Sequence, residues 1–242
     1  MMKLEKLNSN THKSAKVLPF ASVAPTPIMH MVHTVPQEFK HIAQHYPIFF
    51  AKDGETGQFN IIALLGLAAN ENLFIKQGQW QGNYLPLNLQ SEPFYLIEDK
   101  QEENGQLISK PALAIDVNNA RVQQEQGEAI FKQGSATQYL QEQANLLSQF
   151  VEGTRFNNEF IKALLEQNLL ESVNLDITFE NGEDVSLQGL YTINKESLVR
   201  VPSTVQQEFE QSGYVQLITD ILASLNNVEA LIALKNERLK AL

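Results

Sequence analysis

The chain has no cysteine among its 242 residues, which excludes disulfides and thiolate metal sites. Long hydrophobic runs are missing too. The longest spans residues 59–69, contains Asn60 and is only 11 residues long, where a bilayer crossing needs about 20. It reads as a buried strand. Residues 1–20 carry Lys3, Lys6, Lys13 and Lys16, but no apolar core of about 7–15 residues follows them, so no signal peptide is expected. The expectation is a cytoplasmic protein with no membrane span, reaching a cell surface only by export without a signal peptide. Basic charge is scarce: 18 Lys and Arg face 28 Asp and Glu, for a net charge of -10. An acidic surface repels nucleic acid and anionic membranes. The chain contains no G-x-S-x-G, P-loop or G-x-G-x-x-G pattern.

What is present is enough to build a core. With 43% hydrophobic residues, a chain of this length buries about 70–75% of its unfolded surface. The 23 Gln and 20 Asn offer hydrogen bonds without charge, which suits polar interfaces.

Proline and glycine punctuate the chain. Pro19, Pro25 and Pro27 mark residues 1–27 as an extended N-terminal arm, and residues 28–242 read as one domain with a sub-boundary near 134. Residues 28–32 predict a strand. Pro36, with Thr34 as cap, predicts a helix to His45. Residues 47–51 and 59–67 read as a hairpin; 73–75, 94–97 and 112–116 read as further strands, with 99–105 a polar loop. From Ser135 the apolar spacing turns helical, with Gly153 dividing it into two helices. Residues 173–179 and 185–193 flank Asn181-Gly182, the signature of a type I′ hairpin, and put Val173, Leu175, Ile177 and Phe179 on one face. A helix follows Pro202, and Tyr214, Leu217, Ile218, Ile221, Leu222 and Leu225 form an apolar stripe beyond Gly213. An antiparallel or mixed sheet in the first half, with helices and one hairpin in the second, gives the class α+β.

Several ordered segments carry a family resemblance. Val35-Pro36-x-x-Phe39 precedes Tyr46-Pro47-Ile48-Phe49-Phe50, Gly66-Leu67, Asn72-Leu73-Phe74-Ile75, Gly78-Gln79-Trp80, Tyr84-Leu85-Pro86 and Pro93-Phe94-Tyr95. Ile115-Asp116, Gly127-Glu128-x-Ile130-Phe131-x-x-Gly134, Leu187-x-Gly189-Leu190-Tyr191-x-Ile193-Asn194 and Gly213-Tyr214 continue the series. This order resembles SapC, a family of bacterial proteins. The resemblance implies a link to paracrystalline surface layers. One departure is Gln90-Ser91-Glu92, where basic residues are expected in relatives.

The candidate ligand-binding residues are Asn72, Trp80, Tyr84 and Asp116. Aromatic rings among amides suit a peptide or sugar face, and a carboxylate at a strand end can take part in acid–base work. Four of the five histidines lie between His30 and His45. His41 and His45, at i, i+4 on the predicted helix, are an alternative metal pair that His30 or His33 could complete. The leading expectation is a non-enzymatic binding or assembly protein, working without a cofactor and with a protein partner or a second copy of itself. The alternative is an enzyme or enzyme accessory acting on a peptide or small molecule near Trp80, Tyr84 and Asp116.

Overall fold

The computed structural model describes residues 2–20, 29–103 and 106–241. Along the chain, β1 (Leu4–Lys6), β2 (Lys16–Val17) and β3 (Met31–His33) precede a 3₁₀ turn at Pro36–Glu38 and the single-turn α1 (Phe39–Ile42). Next come β4 (Ile48–Lys52), β5 (Phe59–Leu64), β6 (Ile75–Lys76), β7 (Gln79–Trp80) and α2 (Leu87–Gln90). The long strands β8 (Phe94–Glu103) and β9 (Gln106–Asp116) lead to β10 (Val122–Gln123), β11 (Glu128–Ala129), β12 (Phe131–Lys132) and β13 (Ser135–Ala136). The helix α3 (Gln138–Glu166), the hairpin β14 (Leu170–Thr178) and β15 (Asp184–Ile193), and the helices α4 (Lys195–Val199), α5 (Ser203–Gln211), α6 (Tyr214–Ser224) and α7 (Asn227–Lys240) complete it. The fold is α+β.

The chain divides into two compact units. The first comprises Met1–Thr26, Lys76–Trp80 and Leu87–Val151; the second comprises Pro27–Ile75, Gln81–Pro86 and Glu152–Leu242.

In the first unit an antiparallel sheet has the order β1-β9-β8. Its core gathers Val17, Phe94, Ile115, Ile130, Leu140 and Leu147. The polar stretch 99–105, expected as a loop, is mostly strand. Pairing between β8 and β9 continues from Phe94–Ile115 to Glu103–Gln106. The two arms satisfy each other's backbone groups, so the ladder outlasts the apolar pattern that announces it. Residues 104 and 105 lie outside the described residues.

In the second unit a five-stranded antiparallel sheet runs β14-β15-β4-β5-β3. Successive residues of β4 point to opposite faces. Phe49 joins Ile62, Leu64, Phe179 and Leu231 of α7. Phe50 meets Phe160 of α3, with ring centroids 6.4 Å apart. Tyr214 closes this second layer against Phe156, Phe160 and Phe209. Residues 214–240 are long and apolar enough to cross a bilayer by length and composition alone. They are nonetheless two helices, and Leu217, Ile218, Ile221 and Leu231 are buried in the fold.

Several local expectations need correction. Gly153 does not end a helix: α3 is continuous from Gln138 to Glu166. A Cβ at this position would lie 2.6 Å from the Cβ of Val35 and clash with the side chain of Gln37. The glycine is there for close approach, not for a break. The helix expected to reach His45 stops at Ile42, and the Thr34 hydroxyl donates to Glu38 Oε1 (2.9 Å) instead of capping a backbone N–H. Leu73 and Phe74 lie in a turn and not in a strand. The strand at 28–32 is β3, three positions later in its start, with Ile28 outside the described residues. The 173–193 hairpin forms as expected, and its four aligned apolar residues all enter the core. Its turn is not type I′, however. Only Gly182 has positive φ (86°), and its N–H donates to Phe179 O (2.9 Å) while Phe179 N–H donates to Glu183 O (2.8 Å). That is a type I turn with a glycine bulge.

Candidate functional site

The four sequence-predicted residues fall in both units. Asn72 and Tyr84 belong to the second, and Trp80 and Asp116 to the first.

In the first unit Trp80 and Asp116 lie at two ends of one chain of contacts. The Trp80 indole meets Phe20 edge-on, with centroids 6.0 Å apart. The guanidinium of Arg121 sits over the Phe20 ring at 5.3 Å. Arg121 donates through Nε to Leu18 O (2.8 Å) and through Nη1 to Glu92 O (2.5 Å). A planar fork is suited to such a double clip. Asp116 ends β9, and its Oδ1 accepts from Lys3 N (2.8 Å) and Asn118 N (3.1 Å). Glu92 precedes β8 and is 7% exposed. Burial pushes its carboxyl up to about 7; Arg121 opposes the shift, Asp116 adds to it, and a hydrogen bond with Asn119 opposes it. Burial also pushes the neighbouring Tyr95 hydroxyl up to about 12, helped by Glu92 and Asp116, and draws Arg121 below its ordinary value. The cluster therefore combines a fixed cation with a carboxyl able to exchange a proton near neutral pH.

Sequence reasoning missed Glu92 and Arg121 as members of this cluster. The signal was available in part. Pairing 94–97 with 112–116 as one hairpin sets Pro93 opposite Asp116, and Glu92 beside it.

In the second unit Asn72 is a turn-former. Its Oδ1 accepts from Phe74 N (3.0 Å), and its Nδ2 donates to Met29 O (3.2 Å). Arg238 of α7 donates to Asn72 O, Leu73 O and Ile75 O, and Lys235 pairs with Glu71 at 2.6 Å. Tyr84 stacks on His41 and donates its hydroxyl to Glu38 Oε2 (3.1 Å), while the Tyr46 hydroxyl donates to Tyr84 O. Burial raises the pKa of both tyrosines, so both hydroxyls remain donors. Glu38 is 1% exposed and holds Thr34 and Tyr84 together.

The alternative metal pair does not form. Because α1 ends at Ile42, His41 and His45 share no helical face; His41 faces Tyr84 and His45 packs edge-on to Tyr46. Among the described residues no three His, Asp or Glu side chains converge on a metal position.

A cleft of about 280 Å³ opens in the helical layer of the second unit. Leu198, Val201, Phe209, Val215, Ile218 and Leu222 give it apolar walls. Two of its polar groups are spent internally: Gln206 Nε2 donates to Val201 O, and Thr219 Oγ1 to Val215 O, each at 2.8 Å. Glu210, exposed to solvent, is the charged residue of its lining. None of Asn72, Trp80, Tyr84 or Asp116 lines it.

A model of the SapC family matches residues 7–231. No curated protein and no solved structure matches the chain. Nearly the whole of both units lies inside the family match, and the chain belongs to the SapC family.

Proposed function

We propose that this SapC-family chain is a non-enzymatic binding protein that seats an apolar side chain of a partner polypeptide in the α4–α6 cleft. The cleft's composition carries this reading. Its walls are aliphatic and aromatic, two of its polar groups are internally bonded, and Glu210, exposed to solvent, is the charged residue of its lining. At about 280 Å³ it falls just below the range of about 300–1,000 Å³ typical of small-molecule sites, which suits one or two anchoring side chains better than a cofactor. Val199 is 82% exposed and Val215 44%, which extends the apolar surface around the opening. Glu210 favours a Lys or Arg beside the anchor. If the surface-layer link implied by the family holds, the partner is a structural protein and the role is assembly.

The probe is an acetylated, amidated Phe-Lys dipeptide, titrated while backbone amide shifts are followed by NMR. Shifts confined to α4, α5 and α6, abolished by Thr219→Trp filling the cleft, support the reading. Shifts elsewhere, or shifts unchanged in Thr219→Trp, refute it.

A second reading, an enzyme or enzyme accessory acting on a peptide or small molecule, is favoured by Glu92, a buried carboxyl with a pKa near 7 beside Asp116. Turnover by the pure protein that disappears in Glu92→Gln would establish that reading in place of the first.

A further inference from the structure

We propose that the outer edge of β8 is a docking strand for a second copy of this chain, paired antiparallel about a two-fold axis at Asp99.

The direction of the backbone groups follows from one bond. Asp116 N–H donates to Pro93 O (2.9 Å), so Pro93 and Asp116 form a hydrogen-bonded pair of the ladder. Pairs alternate from there. Tyr95, Ile97, Asp99 and Gln101 direct their backbone groups to β9, while Leu96, Glu98, Lys100 and Glu102 direct theirs outward. Two observations agree: Phe94 N–H turns away from β9 to Ser91 O, and Leu113, opposite Leu96, offers its carbonyl to Leu7 N on the far side of the sheet.

The sheet order β1-β9-β8 leaves β8 at an edge. Glu98, Lys100, Gln101 and Glu102 are all exposed. The opposite edge is short and interrupted. β1 pairs with β9 at Asp116, Ile115 and Ala114, and Pro111, at an outward position of β9, has no N–H to offer.

The charges on β8 decide the partner. A lysine on a free edge ordinarily prevents pairing with a like edge. Here Lys100 is flanked at two-residue spacing by Glu98 and Glu102, on the same face. Pairing centred on Lys100 sets Lys100 against Lys100 and Glu98 against Glu102, which is repulsive. Pairing centred on Asp99 sets each Glu98 against the partner copy's Lys100 and each Leu96 against its Glu102, with two ion pairs related by symmetry. All four residues are outward-facing, so this register also lets each opposed pair exchange both backbone hydrogen bonds. On the other face the axis sets Asp99 against Asp99, where the Lys6 ammonium and the Gln101 amide bound to each carboxylate offset the like charge. The contact is isologous and closes as a dimer.

A single strand pair buries less than the about 1,200 Å² of a standard interface, so association falls in the weak range, seen by sedimentation at about 0.1–1 mM. The expected result is a dimer in which the Leu96, Glu98, Lys100 and Glu102 amides become protected from hydrogen exchange. K100E should give a monomer, and the swap E98K/K100E should restore the dimer. A chain that stays monomeric over that range overturns the proposal. So does a dimer indifferent to K100E, or a monomer that pairs β8 with an added extended peptide. Restoration by E102K/K100E but not by E98K/K100E overturns the Asp99-centred register.

Discussion

Arg121 donates to the main-chain carbonyl of Glu92 at 2.5 Å, and its charge only partly offsets the burial of the Glu92 carboxyl. Glu92 therefore holds its proton in the native state up to about pH 7, whereas an exposed glutamate releases it near 4.5. Between those values the unfolded chain has lost a proton that the folded chain retains. Folding stability should decline as pH rises through this window, by roughly 3 kcal/mol in all, and should depend no further on Glu92 above it. Urea midpoints measured across the window check this. Glu92→Gln, which stays neutral and can still bond Asn119, should remove this component of the decline. A variant that keeps the full slope would show that Glu92 is ionised throughout.

Gly153→Ala tests the close approach in α3. Alanine favours a helix by about 1 kcal/mol over glycine. Its Cβ would lie 2.6 Å from that of the fully buried Val35, and overpacking of this kind costs about 1–3 kcal/mol. A net loss is expected in thermal melts. A stabilised variant would mean that Val35 can yield.

Arg238→Lys tests the clip on the 72–75 turn. The guanidinium spans three carbonyls, at 3.1, 3.3 and 2.8 Å, and an ammonium cannot reproduce that fork. Losing the extra charge-assisted bonds should cost about 2 kcal/mol. Faster hydrogen exchange around Phe74 and Leu73 is the local readout.

Tyr84→Phe removes one donor from the buried Glu38 carboxylate, to which the Thr34 hydroxyl also donates at 2.9 Å. A loss of about 1.5–3 kcal/mol is expected, because the acceptor is shielded from water. An unchanged urea midpoint would show that water replaces the phenol.

Elements with a repeating apolar pattern were legible. The β14–β15 hairpin and the α6 stripe follow from alternation or helical spacing, and the β4–β5 pair from two apolar runs around a turn cluster. Features decided by contacts distant in sequence were not. Gly153 resembles a helix breaker until Val35 is seen against it. Residues 99–105 resemble a loop because a paired strand needs no apolar side chains to satisfy its backbone. The candidate residues fall into different local networks. Trp80 and Asp116 do join one network, but through Phe20, Arg121 and Glu92, which no local motif marks. Asn72 serves a turn, and Tyr84 serves Glu38 in the other unit. Nothing in the periodicity of residues 198–222 distinguishes an apolar wall facing a cleft from one facing a core.

Pro111 has a consequence for valency. A sheet open at both sides can recruit copies without end and grow into a ribbon. Here one side lacks a donor at the position where pairing beyond β1 would begin. The proposed pairing through β8 uses that edge on both copies, so among the described residues this sheet offers a third chain only the short outer edge of β1 and the Pro111-interrupted edge of β9. Any larger array built from this chain must draw its remaining contacts from those edges or from elsewhere on the molecule.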